Sequence, residues 1–208
     1  MKGSLIVVAF FALGGLLGWS GLLPDLFVEN NFTIYVLYLL MFQVGLSIGS
    51  DRKLKEILRT IRPELLLVPL ATIVGTLTAS ALVSLVITQW SVFDCLAVGS
   101  GFAYYSLSSI LITEFKEPTL GVQLAAELGT IALIANIIRE IFALLGAPFF
   151  VKYFGRLAPI CAGGATTMDT TLPVITRYSG KDMVFIAILH GILVDLSVPF
   201  LVSFFCSF

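Results

Sequence analysis

The sequence predicts an all-α polytopic membrane protein with about seven hydrophobic spans, one of them broken over Gly163–Pro173. Three observations predict it. The first is composition: of 208 residues, 58% are apolar and 12% charged, against roughly 45–50% and about 25% in an average soluble domain. The second is spacing. The apolar residues fall into runs close to the roughly 20 residues that a hydrocarbon core of about 30 Å requires, separated by short polar links. The third is a single run that packs Gly, Thr, Asp and Pro together at membrane depth, where a regular lipid-facing helix has no use for them. The same composition excludes other classes. Twelve Lys+Arg against thirteen Asp+Glu leave no basic face for nucleic acid. Cys95, Cys161 and Cys206 are odd in number and scattered through apolar runs, so they read as small buried hydrophobes rather than a disulfide framework or metal cluster. With one histidine and no Cys-x-x-Cys, no metal site and no cofactor is expected.

The runs can be justified in order. The first, Leu5–Leu23, is preceded only by Lys2 and meets no small-residue cleavage site before Pro24. It is expected to remain as an uncleaved span. A polar turn with Pro24, Asp25, Glu29, Asn30 and Asn31 leads to the second run, Phe32–Gly49. Residues Asp51–Pro63 are a basic loop holding Arg52, Lys53, Lys55, Arg59 and Arg62. The third run is Leu65–Ile87 and the fourth Val92–Ile112, followed by a polar link, Thr113–Gly121, with Lys116 and Pro118. A fifth helix is placed at Gly129–Phe150, with Val122–Leu128 as its lead-in; the sixth run is Ala158–Ile175 and the seventh Met183–Phe205. The organisation expected is an N-terminal helix pair with its basic loop over residues 1–63 and a transport core over 64–208. A cytoplasmic N-terminus puts Lys2, the five basic residues of the loop, Lys116, Arg177 and Lys181 inside, and Lys152 and Arg156 outside. Lys/Arg bias favours that orientation.

Ionisable groups within a span cost roughly 2.5–3.5 kcal/mol each at its centre, so they mark pairs or wet cavities. The candidates are Glu127, Asn136, Arg139, Glu140, Asp169, His190 and Asp195. Asn136, Arg139 and Glu140 sit at helical offsets of three and four, on one side of the fifth helix. They are either a structural ion pair or the lining of a cavity in which Arg139 holds a carboxylate. In the fourth run Ser100, Tyr104 and Ser108 are four apart. They suit either helix packing or, with Tyr105, a hydroxyl and aromatic lining for a cation. The sixth run reads Gly163-Gly164-Ala165-Thr166-Thr167-Met168-Asp169-Thr170-Thr171-Leu172-Pro173. Gly/Pro-interrupted spans present half-helix ends and are the best sequence pointer to a transporter site. Asp169 there either caps a half-helix or serves the transported ligand. His190 reads as a packing residue or a proton-handling group, and Asp195, five residues on, falls on another face.

Four blocks resemble the lysine exporter family of the LysO type. They are Gly99-Ser100-Gly101-Phe102-Ala103-Tyr104-Tyr105-Ser106-Leu107-Ser108-Ser109 through Glu114, Asn136-Ile137-Ile138-Arg139-Glu140, Gly163 through Val174, and Asp182-Met183 through His190-Gly191. Met41–Gly49 is similar to the family's second-helix pattern. The resemblance implies an inner-membrane exporter of L-lysine and its toxic analogue thialysine, working by proton antiport, with Asp169 the acid in the transport path. Longer members carry an additional N-terminal helical segment. The expectation is therefore a long-form protein without it, associating with itself or with a short companion membrane protein. Asp195 stands outside the family pattern, and Asp195→Asn is expected to be milder than Asp169→Asn. For lysine the expected binding and proton-handling set is Asp169, Arg139, Glu140, Asn136, Tyr104, Tyr105, Ser100, Ser108, Thr166, Thr167 and His190. Two alternatives stand beside export: a Na⁺/H⁺-type antiporter and a non-transporting subunit of a transporter complex. No His-Glu-x-x-His and no serine dyad suggest an enzyme.

Overall fold

The computed structural model describes residues 63–208 throughout and, before them, Leu13, Leu16, Leu17, Ser20, Tyr35, Leu39, Phe42 and Leu46. The chain divides into two compact units, Met1–Asp51 and Arg52–Phe208. Apart from those eight residues, the first two hydrophobic runs lie outside the described residues, as does nearly all of the basic loop. No strand occurs among the described residues. After a 3₁₀ turn at Pro63–Leu66 come α1 (Leu67–Val83), α2 (Val92–Gly99), α3 (Tyr105–Leu120), α4 (Val122–Phe154), α5 (Ala158–Gly163), α6 (Leu172–Tyr178) and α7 (Val184–Cys206). Among the described residues, three segments are long and apolar enough to cross a membrane: Glu64–Val83, Val122–Phe154 and Lys181–Cys206.

The fourth and sixth runs are not single helices; each doubles back as a hairpin. Asp94 near the start of α2 pairs with Lys116 near the end of α3, Oδ1 to Nζ 2.8 Å. A continuous helix would separate these residues by about 33 Å at 1.5 Å per residue, so α2 and α3 return to the same end. In the second hairpin Arg156, just before α5, donates from Nε to the Ser179 carbonyl at 2.6 Å, just after α6, and also pairs with Asp182. The 33-residue helix α4 starts where the first hairpin closes, at Gly121, and ends where the second opens, at Gly155. It is about 50 Å long. The two hairpins therefore enter from opposite ends of α4 and meet tip to tip. The Ala165 N–H donates to the Phe102 carbonyl at 2.9 Å.

Local sequence explains the hairpins. Ser91 and Asp94 form a capping box that starts α2: Ser91 Oγ accepts from the Asp94 N–H at 3.1 Å and Asp94 Oδ2 accepts from the Ser91 N–H at 3.0 Å. The first tip, Gly101–Tyr104, contains Phe102 and Ala103 at φ +43° and +73°, a region few non-glycine residues adopt. The second tip turns at Gly164, φ +61°, then runs as a 3₁₀ turn from Gly164 to Met168 into Asp169. The expected break over Gly163–Pro173 is thus present, and the chain turns back at it. A second break, at 100–104, corrects the expectation of one broken span.

Other boundaries shift as well. The link expected at Thr113–Gly121 is helical to Leu120, and the fifth helix begins at Val122 rather than Gly129. Lys116 is 3% exposed and neutralised by Asp94, itself 4% exposed, so it sits inside the protein rather than in a loop. Because the hairpins turn back, Lys152 and Arg156 stand at the same end as Arg177 and Lys181, while Lys116 stands at the other.

The tip contact has a measurable consequence. A Cβ built on Gly164 would lie 2.3 Å from the Phe102 oxygen. One on Gly121, φ +80°, would meet nothing within 4 Å. Both Ala variants carry the conformational cost of about 1–3 kcal/mol, but Gly164→Ala also forces the tips apart. Its unfolding temperature in detergent should fall well below that of Gly121→Ala. Equal losses would show that the tips do not depend on close approach.

Candidate functional site

The two tips are held by α4. Asn136 and Arg139 lie one turn apart near its midpoint. Asn136, 3% exposed, takes the first tip: Oδ1 accepts from the Ala103 N–H at 2.8 Å, and Nδ2 donates to the Val98 carbonyl at 3.3 Å and the Ala132 carbonyl at 2.9 Å. Those bonds explain how Ala103 keeps its positive φ. Arg139 takes the second: Nε donates to the Ala162 carbonyl at 3.0 Å, Nη2 to the Cys161 carbonyl at 3.2 Å and Nη1 to Thr76 Oγ1 at 3.3 Å. Its guanidinium also stacks over Phe102 at 5.5 Å. A cation on the last carbonyls of α5 satisfies orphan acceptors and opposes the negative end of the helix dipole. Arg139 and Glu140 do not pair. Among the described residues the ion pairs are Asp94–Lys116 and Arg156–Asp182.

Beside the joined tips lies a cavity of about 200 Å³, lined by Ala103, Tyr104, Tyr105 and Ser106 of the first hairpin, Ala165, Thr166, Met168, Asp169 and Thr170 of the second, and Asp195 of α7. Asp169 is exposed at its mouth, with Oδ1 accepting from the Thr170 N–H at 2.5 Å and the Thr170 hydroxyl at 3.3 Å. Asp195 is 7% exposed. The two carboxylates lie within electrostatic range of each other and of the Tyr104 hydroxyl. Tyr105 and Ser106 are the first residues of α3, whose leading amides have no partner within the helix. The cavity thus offers two acids, hydroxyls and a helix N-terminus, and no Lys or Arg among its lining residues.

The remaining expected residues take other positions. Ser100 and Ser108 are buried and bond backward to the Leu96 and Tyr104 carbonyls at 2.7 and 2.9 Å. Thr167 is buried behind the second tip and donates toward the Gly164 and Ala187 carbonyls at 2.9 and 2.8 Å. His190, fully buried, bridges Thr167 Oγ1 at 3.2 Å and Thr72 Oγ1 of α1 at 2.9 Å. It ties the second tip to α1 and does not line the cavity. Glu140 is half-buried on α4, outside the cavity lining. Glu127 is exposed, near Gln89. Of the expected set the structure therefore brings Tyr104, Tyr105, Thr166 and Asp169 together, and it adds Asp195 and Ser106. Asp195 carried a signal, an acid in the middle of an apolar helix. Its partner across the cavity lies on a hairpin distant in sequence, which no helical offset could show. A second space of about 500 Å³ lies between α1, α2 and α4, mostly apolar in its lining, with Asn136 and Arg139 at its edge.

Two opposed hairpins, joined at their tips inside a frame of three potential spans and flanked by a polar cavity, define a polytopic membrane protein of transporter type. The profile of the family described as "Lysine exporter LysO" matches residues 8–206, and the chain belongs to that family. It is 34% identical over 205 residues to the Lysine exporter LysO of Escherichia coli K12, covering 98% of this chain and 64% of that protein. The chain therefore spans less than two thirds of the length of that relative. It is 34% identical over 200 residues to a putative lysine exporter of Haemophilus influenzae, covering 94% of each. No solved structure matches the chain.

Proposed function

We propose that this chain exports L-lysine and thialysine across the bacterial inner membrane by proton antiport. The observation that carries the reading is the cavity at the hairpin tips: two carboxylates with no basic residue in its lining, in a member of a family described as lysine exporters. Lysine is a zwitterion with one further ammonium. Its carboxylate suits the free amides at the start of α3, since anions bind at helix N-termini. Its ammonium groups suit the acids, with the Tyr104 ring beside them. Proton uptake by an acid weakens its hold on a cation, which links outward lysine flux to inward proton flow. In proteoliposomes, an outward lysine gradient should drive proton movement, and Na⁺ alone should drive none. Proton movement with Na⁺ and none with lysine would establish the ion antiporter instead. A homo-oligomer or a short companion membrane protein is the assembly this reading expects; light scattering of the purified protein tests it, and a lysine-transporting monomer would exclude it.

The same reading assigns the sides of the membrane. Lys152, Arg156, Arg177 and Lys181 share one end, and the five basic residues at 52–62 immediately precede α1 at that end in sequence. Lys/Arg bias makes it cytoplasmic, with the first hairpin entering from outside and the N-terminus inside. Single cysteines replacing Gly121 and Gly155, in an otherwise cysteine-free variant, should behave oppositely toward a membrane-impermeant thiol reagent in intact cells. The first should label and the second resist. Equal labelling of both would refute the two-sided hairpin arrangement.

A further inference from the structure

We infer that Asp195 is a substrate-binding residue, the carboxylate at the floor of the tip cavity that holds the side-chain ammonium of a cationic amino acid. This rests on the export reading above. Asp195 lies on α7, is 7% exposed, and lines the cavity, and no hydrogen bond or ion pair to it forms among the described residues. A buried carboxylate without a donor is costly, because burial removes its water and nothing replaces it. Every other buried charge in the described region has a solution of its own. Asp94 has Lys116 and the Ser91 cap, and Arg139 has two carbonyls and Thr76. Asp195 faces open space, and the groups that share that space are Asp169, Tyr104, Ser106 and Thr166. The described residues supply no partner, and a ligand of positive charge is the complement this space calls for.

The shape of the space selects the class of partner. About 200 Å³ holds several waters at roughly 30 Å³ each, more than one bare ion needs. The acids are placed in depth, Asp169 exposed at the mouth and Asp195 buried. A ligand with two separated ammonium groups meets both carboxylates. A neutral amino acid of equal length leaves Asp195 uncompensated and is rejected. Asp169 alone admits a cation; Asp195 makes the site choose a cationic side chain.

The test is binding to the purified full chain in nanodiscs, comparing the parent with Asp195→Asn. The probes are L-lysine, L-norleucine, 1,5-diaminopentane and NaCl, read by thermal shift and by titration. Norleucine keeps the chain length and α-groups of lysine and lacks the side-chain ammonium. The parent should prefer lysine. Asp195→Asn should bind lysine at least about tenfold more weakly, the scale of one charge-assisted hydrogen bond, with norleucine bound no more weakly than by the parent. Loss of protein stability alone would weaken both ligands together, so the lysine-to-norleucine ratio separates binding from folding. A variant with the parental ratio would overturn the assignment. If the parent binds no lysine, the export reading fails, and the other probes decide this one. Stabilisation of the parent by 1,5-diaminopentane or Na⁺, lost in Asp195→Asn, upholds a cation-binding Asp195. No cation distinguishing parent from variant refutes it.

Discussion

Asp169→Asn should abolish lysine export while leaving the abundance and fold of the protein at parental level. Cells carrying it should become as sensitive to thialysine as cells without the gene. In the structure the Asp169 carboxylate sits at the cavity mouth, and the bonds it makes are local, to the amide and hydroxyl of Thr170. Asparagine's side-chain oxygen accepts the same bonds, so the turn that closes the second tip keeps its support. What asparagine cannot do is carry a negative charge or exchange a proton. A charge-assisted bond to an ammonium is worth about 1.5–3 kcal/mol, so its loss alone weakens a cation roughly tenfold to a hundredfold. Loss of titration removes the step that alternates lysine with a proton. If Asp169 serves only the turn, the variant exports like the parent. Parental export at parental abundance would therefore remove Asp169 from the mechanism.

The contrast between Asp169 and Asp195 shows what the sequence made legible. Asp169 stands in a run whose glycines, threonines and proline announce irregular backbone at membrane depth. Asp195 stands in a plain apolar helix, and its meaning depends on a hairpin 26 positions earlier folding back against it. The hairpins themselves were half legible. An apolar run reports burial, and a segment sheathed by other helices is as apolar as one facing lipid, so Val92–Ile112 reads as a crossing. The turn-back at Phe102 and Ala103 uses non-glycine residues at positive φ, a conformation imposed by Asn136 rather than encoded locally. Lys116 misleads for a related reason. Its charge reads as a loop, and only the tertiary pair with Asp94 shows it inside. Arg139 and Glu140, adjacent in sequence, suggest mutual neutralisation. The guanidinium is instead spent on the carbonyls that the second hairpin exposes by ending a helix early.

Asn136→Leu should be the most disruptive single change in the framework. Leucine is close in volume and fits a helix, so propensity and packing change little. The loss is confined to hydrogen bonds. The Ala103 N–H at the first tip and the Val98 carbonyl in the last turn of α2 lose their partner on α4. Each buried group left unpaired costs about 1–3 kcal/mol, and Ala103 also loses the bond that stabilises its φ of +73°. The tip should relax, and with it the bond from Ala165 to Phe102 and one wall of the cavity. The expected result is a marked fall in unfolding temperature together with loss of export, even though Asn136 does not line the cavity. Asn136→Asp discriminates further. It keeps the acceptor for Ala103 but removes the donor to Val98 and Ala132, and it buries a charge beside Arg139. It should fall between leucine and the parent if the Ala103 bond dominates. If Asn136→Leu instead unfolds at the parental temperature with parental export, α4 does not hold the first tip, and the proposal that the joined tips shape the binding site loses its support.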